Sequence, residues 1–237
     1  MSNDSARLKF RKSLLMPVEQ KMFMVMVGTG LLCALIIVSV FLYTQPFITK
    51  NKIQVLEKAI AQIIPQASSR LSFSLNEEGH FKPSINTLTS GQIVYAAFNN
   101  QQQLQGIVIE AQGRGYQDTI ELLYAYNPEK QSISGLVILS NRETPGLGAK
   151  ISYDADFLAN FKQLDVSLNL DESALRHPVQ VVKPGMKKKE WQIDSITGAT
   201  ISSKAVAKII QHSASRMLPL INQNLQDLNY ASTIKDH

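Results

Sequence analysis

The most pronounced pattern lies near the start of the chain, where no charged side chain interrupts an apolar run of 22 residues from Met22 to Tyr43. At about 1.5 Å of rise per residue, that run forms a helix of roughly 33 Å, enough to cross a hydrocarbon core of about 30 Å. A single transmembrane helix is therefore predicted over residues 22–43. A cleaved leader fits less well, because its apolar stretch is shorter and ends at small residues, whereas Thr44-Gln45-Pro46-Phe47 follows here. Cys33 falls inside the span as a small apolar residue. Beyond it, Ile53, Leu56, Ile60 and Ile63 recur at helical spacing until Pro65, predicting a separate amphipathic linking helix within residues 44–65.

After Pro65 the period changes. Residues 66–91 are polar and rich in turn formers, with one short strand expected around Leu71–Leu75. Four apolar or alternating runs follow, Ile93–Asn99, Leu104–Ala111, Thr119–Tyr126 and Ser132–Ser140, joined by short polar turns. Such a succession predicts an antiparallel meander. Asp154 or Asp156 is placed to cap a short helix through Phe157–Phe161. Val179–Val182 and Trp191–Asp194 read as two more strands on either side of Pro184–Lys189, whose lysines mark a solvated hairpin tip. From Ile201 to Met217 the helical period returns, continuing to Tyr230 past a kink expected at Pro219. The expected class is α+β: a single N-terminal transmembrane helix, then one domain with an antiparallel sheet flanked by helices. The expected divisions are a basic arm at 1–21, the span at 22–43, the linking helix at 44–65, the domain at 66–216 and a helical tail at 217–237.

Composition removes several kinds of chemistry. One cysteine cannot build a disulfide framework or an iron–sulfur site from this chain's thiolates. The four histidines, His80, His177, His212 and His237, lack the spacing of a zinc or haem site, so no metal ligands are expected. Of the net charge of +5, residues 1–21 hold +3. The remainder has no basic stripe interleaved with aromatics, and no nucleic-acid partner is expected. Arg7, Lys9, Arg11, Lys12 and Lys21 precede the span, against Lys50, Lys52 and Lys58 soon after it. That bias predicts a cytoplasmic N-terminus, with the domain on the other side and lipid around the span. One helix forms no channel, so any transport role requires partner subunits. Neither GxGxxG nor GxxxxGK[ST] occurs.

The stretch Asp194-Ser195-Ile196-Thr197-Gly198-Ala199-Thr200-Ile201-Ser202-Ser203 carries the candidate chemistry. A strand ends at Asp194, a tight turn uses Gly198, and a helix begins near Thr200. Gly198 and Ala199 leave room beside the backbone, while the free N–H groups of a new helix favour an anion such as phosphate. A threonine hydroxyl there suits a phosphoester. Equally, Thr197 or Thr200 serves as an ordinary N-cap.

Asp194-x-x-Thr197-Gly198-Ala199-Thr200 resembles the acceptor motif of the covalent-FMN-binding domain family. The resemblance implies that a flavin transferase takes FMN from FAD and esterifies its phosphate to Thr200. Glu143-Thr144-Pro145-Gly146-Leu147-Gly148 is similar to the family's ETPGLG segment, which places Glu143, Thr144, Leu147 and Gly148 beside the flavin. Backbone donors of that loop would bond the ring edge and Leu147 would cover its face. Glu143 is then either a charge near the flavin or a plain surface carboxylate. Gly113–Ile120 matches the glycine–aromatic segment more loosely and adds Tyr116, although Asp118 stands where the family usually has a small residue. Ser203 and Lys204 lie one helical turn beyond Thr200, within reach of the phosphate, and Asp194 positions the acceptor or caps the turn. Trp191 is expected in the core.

Within the family, the N-terminal anchor and Glu143–Ile151 look most like the G component of Rnf-type ion-translocating electron transport complexes, which usually reads Asp where Ala149 stands. The C component of the sodium-translocating NADH:quinone reductase is a relative. The resemblance implies an electron-relay subunit of a multisubunit complex in a bacterial inner membrane, its main domain periplasmic and without catalytic residues of its own. The alternatives are a stand-alone anchored flavoprotein, the C component of a sodium-translocating NADH:quinone reductase, and a non-redox domain in which Thr-Gly-Ala-Thr only caps a helix.

Overall fold

The structure is a computed structural model that describes residues 17–76, 79–84 and 93–230. The expected basic arm lies outside these residues except at its C-terminal end, as do the last seven residues of the expected tail. The chain forms two compact units, Met1–Gln54 and Val55–His237.

Helix α1 runs without interruption over Val18–Ile63, 46 residues, with Pro46 inside it. Its window of highest hydropathy has no buried residue, and the helix is long and apolar enough to cross a membrane. The expected division between the span and a separate linking helix is absent. A proline removes one backbone donor, and the chain tolerates this where other donors can satisfy carbonyls of the preceding turn. In the turn before Pro46 the Thr44 hydroxyl donates to the carbonyls of Val40 at 2.8 Å and Phe41 at 3.1 Å. Thr29, between Gly28 and Gly30, does likewise to Val25 and Met26.

The second unit is built on a seven-stranded sheet. Its strands are β1 (Ser69–Leu75), β2 (Phe81–Pro83), β3 (Ile93–Phe98), β4 (Leu104–Arg114), β5 (Thr119–Asn127), β6 (Ser132–Ser140) and β7 (Leu164–Asp165). They pair in the order β2-β1-β3-β4-β5-β6-β7, antiparallel throughout. The meander expected from the alternating runs is present as β3 to β6, while β2 is too short to show a period. Between β6 and β7 come a 3₁₀ turn (Gly148–Ser152) and the short helix α2 (Ala155–Ala159), capped by the Asp154 carboxylate on the Phe157 N–H.

Both faces of the sheet are covered, so every residue of β3 is buried and its sequence reads as continuous apolar character. On one face Ile107, Ile109, Leu122, Tyr124 and Tyr126 meet Val206, Ile210, Ala214 and Met217 of the long helix α3 (Thr200–Gln223). The hydroxyls of Tyr124 and Ser213 join the two layers at 2.9 Å. On the other face Tyr95, Ala97, Val108, Leu123 and Ala125 meet Ala59, Ile60 and Ile64, so the last turns of α1 serve as a covering helix. Burying a side chain of this size contributes about 1.5–3 kcal/mol.

A further difference concerns the C-terminal half. Strands β8 (Gln180–Val182) and β9 (Gln192–Asp194) pair parallel, so the lysine segment is a crossover loop and no hairpin tip. Met186 bonds back to Lys183, and the carboxylate of Asp194, the last residue of β9, accepts from the N–H groups of Met186 and Lys187, which ties the loop to that strand. Helix α3 continues through the buried Pro219 to Gln223. It ends at Asn224, whose side chain donates to the carbonyls of Leu220 and Gly79, before the short helix α4 (Leu225–Tyr230).

Candidate functional site

Strand β9 delivers the chain to the mouth of α3. Gly198 turns it with φ +82°, a conformation that side chains other than glycine adopt at a cost. Ala199 is the N-cap and makes no side-chain capping bond. Neither Thr197 nor Thr200 caps the helix, which removes the structural duty that would otherwise explain a threonine here. The buried Ser203 holds the turn instead: its Oγ accepts from Ile196 N–H at 3.1 Å and donates to the Ala199 carbonyl at 2.9 Å. The Thr200 hydroxyl has no hydrogen-bond partner among the described residues and is exposed. The N–H groups of Thr200, Ile201 and Ser202 likewise donate to no described residue outside their helix. Unpaired amides at a helix start carry the positive end of its dipole.

These groups open onto a cavity of about 380 Å³ lined by Tyr116, Glu143, Thr144, Leu147, Gly148, Gly198, Ala199, Thr200, Ile201 and Ser202. Apart from Tyr116, the lining comes from two sequence segments, 143–148 and 198–202. The Thr144 carbonyl accepts from the N–H groups of Leu147 and Ala149, both at 3.1 Å, and Gly146 turns the loop with φ +76°. Those two amides are therefore engaged within the loop. The loop pushes Leu147 outward, half exposed, until its Cδ2 lies 3.4 Å from where a Cβ on Gly198 would sit. Tyr116 and Ile201 add exposed apolar surface at the rim. A container of this volume, apolar on its walls with a few polar groups, has the size and character of a small-ligand site.

Of the residues singled out from sequence, Thr200, Ala199, Gly198, Glu143, Thr144, Leu147, Gly148 and Tyr116 share this cavity. Thr197 and Lys204 are exposed outside its lining, Ser203 is buried beneath it, and Asp194 organises the loop before β9. Glu143 is no surface carboxylate: it is only 4% exposed, its Oε1 accepting from the N–H groups of Tyr116 at 2.9 Å and Gln117 at 3.1 Å. Trp191 lies half-buried away from the cavity and stacks on His177 at 3.9 Å, so it is neither a core residue nor part of the site. Ile201 and Ser202 lie within the Asp194–Ser203 stretch, but the sequence reading gave neither a role in the site. The signal that existed for Ser202 is its place three residues into the helix, where a hydroxyl faces back toward the preceding turn.

Residues 115–215 match the FMN-binding domain family, a segment that contains the whole cavity lining. The G component of the proton-translocating ferredoxin:NAD(+) oxidoreductase complex of Clostridium ljungdahlii is 29% identical over 189 residues, 80% of this chain and 86% of the relative. The G component of the ion-translocating oxidoreductase complex of Methanosarcina acetivorans is 27% identical over 82% of this chain and 91% of its own length. Among solved structures, NqrC of Shewanella oneidensis superposes with a TM-score of 0.52 at 19% identity, covering 73% of this chain and 87% of that one. The C component of the Na(+)-translocating NADH-quinone reductase of Parabacteroides distasonis gives 0.53 at 25% identity, over 67% and 80%. The fold is thus that of the NqrC structures.

Proposed function

We propose that this chain, whose residues 115–215 belong to the FMN-binding domain family, is the electron-transfer subunit of a membrane-bound, Rnf-type ion-translocating oxidoreductase complex and carries FMN on Thr200 through a phosphoester. The family and the relatives from ion-translocating complexes support an FMN-carrying electron-transfer subunit. The observation that carries the covalent assignment is the Thr200 hydroxyl, unbonded and exposed at a helix start whose amides are free.

Bound FMN supplies reversible electron exchange, chemistry that belongs to the cofactor. The chain supplies attachment and surroundings. Thr200 would hold the FMN phosphate as an ester, attached by a flavin transferase that would draw FMN from FAD and release AMP. The amides of Thr200, Ile201 and Ser202 and the dipole of α3 then favour the phosphate charge. Small side chains at Gly198 and Ala199 leave space for it. Leu147, Tyr116 and Ile201 offer apolar surface to the ring system and exclude water from it.

The proposed setting is a bacterial inner membrane, with α1 embedded in lipid, the N-terminus cytoplasmic and the domain periplasmic, by the basic bias ahead of the span. Permanent attachment suits that side, where a released flavin would be lost by dilution. The test is in-gel fluorescence after denaturation of protein co-expressed with a flavin transferase. Wild-type chain is expected to fluoresce and Thr200→Ala to be dark while keeping its circular dichroism. Fluorescence retained in Thr200→Ala overturns the attachment site. Purification in mild detergent tests the assembly: multispanning subunits that co-migrate support the complex, and a lone chain supports a stand-alone flavoprotein.

A further inference from the structure

Glu143 receives three hydrogen bonds on two oxygens: the backbone N–H groups of Tyr116 and Gln117 on Oε1, and the Ser202 hydroxyl on Oε2 at 2.5 Å. The donors belong to the loop after β4 and to the first turn of α3, so one side chain ties two walls of the cavity together. Its place is enforced by glycine. A Cβ on Gly115 would collide with Oε1, and one on Gly148 would come within 2.7 Å of Oε2 and 2.6 Å of Ser202 Oγ. Among the described residues no cation pairs with it. Burying a carboxylate without a counter-charge is costly even when it is well hydrogen-bonded. Closing two loops needs only neutral acceptors, so the charge itself requires a reason, and the cavity it lines is where a redox group gains and loses negative charge.

We infer that Glu143 is the positioning residue of this cavity, holding the Tyr116–Gln117 loop against α3 and fixing a negative charge in the wall that opposes reduction of the bound flavin. The electrostatic half rests on FMN occupying the cavity, as proposed above; the positioning half does not.

The test uses the full-length chain in detergent, with flavin content read first from absorbance and intact mass. In chain produced without the transferase, Glu143→Ala is expected to speed amide hydrogen exchange at Tyr116 and Gln117 about tenfold, since each N–H loses a charge-assisted acceptor. Exchange unchanged at both amides overturns the positioning role. In loaded chain, Glu143→Gln is expected to favour the reduced flavin about tenfold, a rise of about 30 mV in midpoint potential for a two-electron couple. Glu143→Asp keeps the charge and is expected to stay near the wild-type potential. Ser202→Ala removes the hydroxyl that shares the charge and is expected to lower the potential, which keeps the test alive if Glu143→Gln fails to fold. Potentials that ignore both changes overturn the electrostatic role. A wild-type chain that carries no flavin overturns the attachment at Thr200, and the exchange measurement still decides the positioning role.

Discussion

Helices α1 and α3 each continue through a proline, Pro46 in one and Pro219 in the other, yet they meet their surroundings in opposite ways. Between Met22 and Tyr43, α1 is apolar all round and exposes side chains such as Leu35, Ile37 and Leu42 on every side. Helix α3 buries one stripe, with Val206, Ile210, Ala214, Met217 and Ile221 at 6% exposure or less, and leaves Lys204, Lys208, His212 and Arg216 outside. A helix without a polar face has no stable place in water, whereas one with a single apolar stripe needs a partner surface of matching width. The last turns of α1 change from the first manner to the second, since Ala59 and Ile60 are buried against the sheet. One continuous helix thus carries a stretch that is apolar and exposed on all sides and a last part that packs on the sheet.

Breaking that contrast at its apolar end has the largest expected effect. Leu35→Arg places a charge in the span, at an insertion cost of about 2.5–3.5 kcal/mol. The fraction of chain that resists alkaline carbonate extraction should fall sharply. Extraction equal to the wild type would mean that this helix does not hold the chain in a membrane.

Truncation of matched isoleucines sharpens the comparison further. Ile210 is fully buried, and Ile210→Ala is expected to destabilise the domain by about 2–5 kcal/mol. Ile37, 69% exposed within the span, should tolerate the same change with no shift in the unfolding midpoint of the domain. Equal effects at the two positions would contradict the division of roles.

The smallest effect concerns pH. Burial disfavours the phenolate, so the hydroxyls of Tyr95 and Tyr126 are each pushed up to about 12, and that of Tyr124 is raised as well. An unfolded tyrosine ionises near pH 10, about the reference value for a free phenol. The neutral phenols of the folded state therefore contribute stability in full below about pH 10. The contribution declines as pH rises from there toward about 12. Tyr126→Phe is expected to flatten the fall of the thermal midpoint in that window relative to the wild type. An unchanged slope would show that this phenol does not contribute.

Legibility followed the range of the interactions involved. Ser132–Ser140 is a strand with the bounds its alternation predicts, because period two is a local property. Asp154 caps α2 for an equally local reason. The lysine segment misled because Val179–Val182 and Trp191–Asp194 carry strand character but no record of direction, and the Asp194 contacts that tie the crossover loop to β9 lie outside that pattern. In the site, Gly198 and the start of α3 were readable from Thr-Gly-Ala-Thr, and the same stretch suggested threonine caps that the structure does not use.

What the residues settled alone is whatever depends on neighbours a few positions away: the apolar span, the strands of the meander, the glycine turn, and a hydroxyl at the head of a helix. What only the tertiary structure decided is the company those groups keep. Glu143 and Ser202 stand 59 residues apart, and their hydrogen bond exists because β4, the loop after β6 and α3 converge at one end of the sheet. Local geometry is encoded by short-range sterics and periodicity, while a shared cavity depends on packing between segments whose separation along the chain carries no trace of their distance in space.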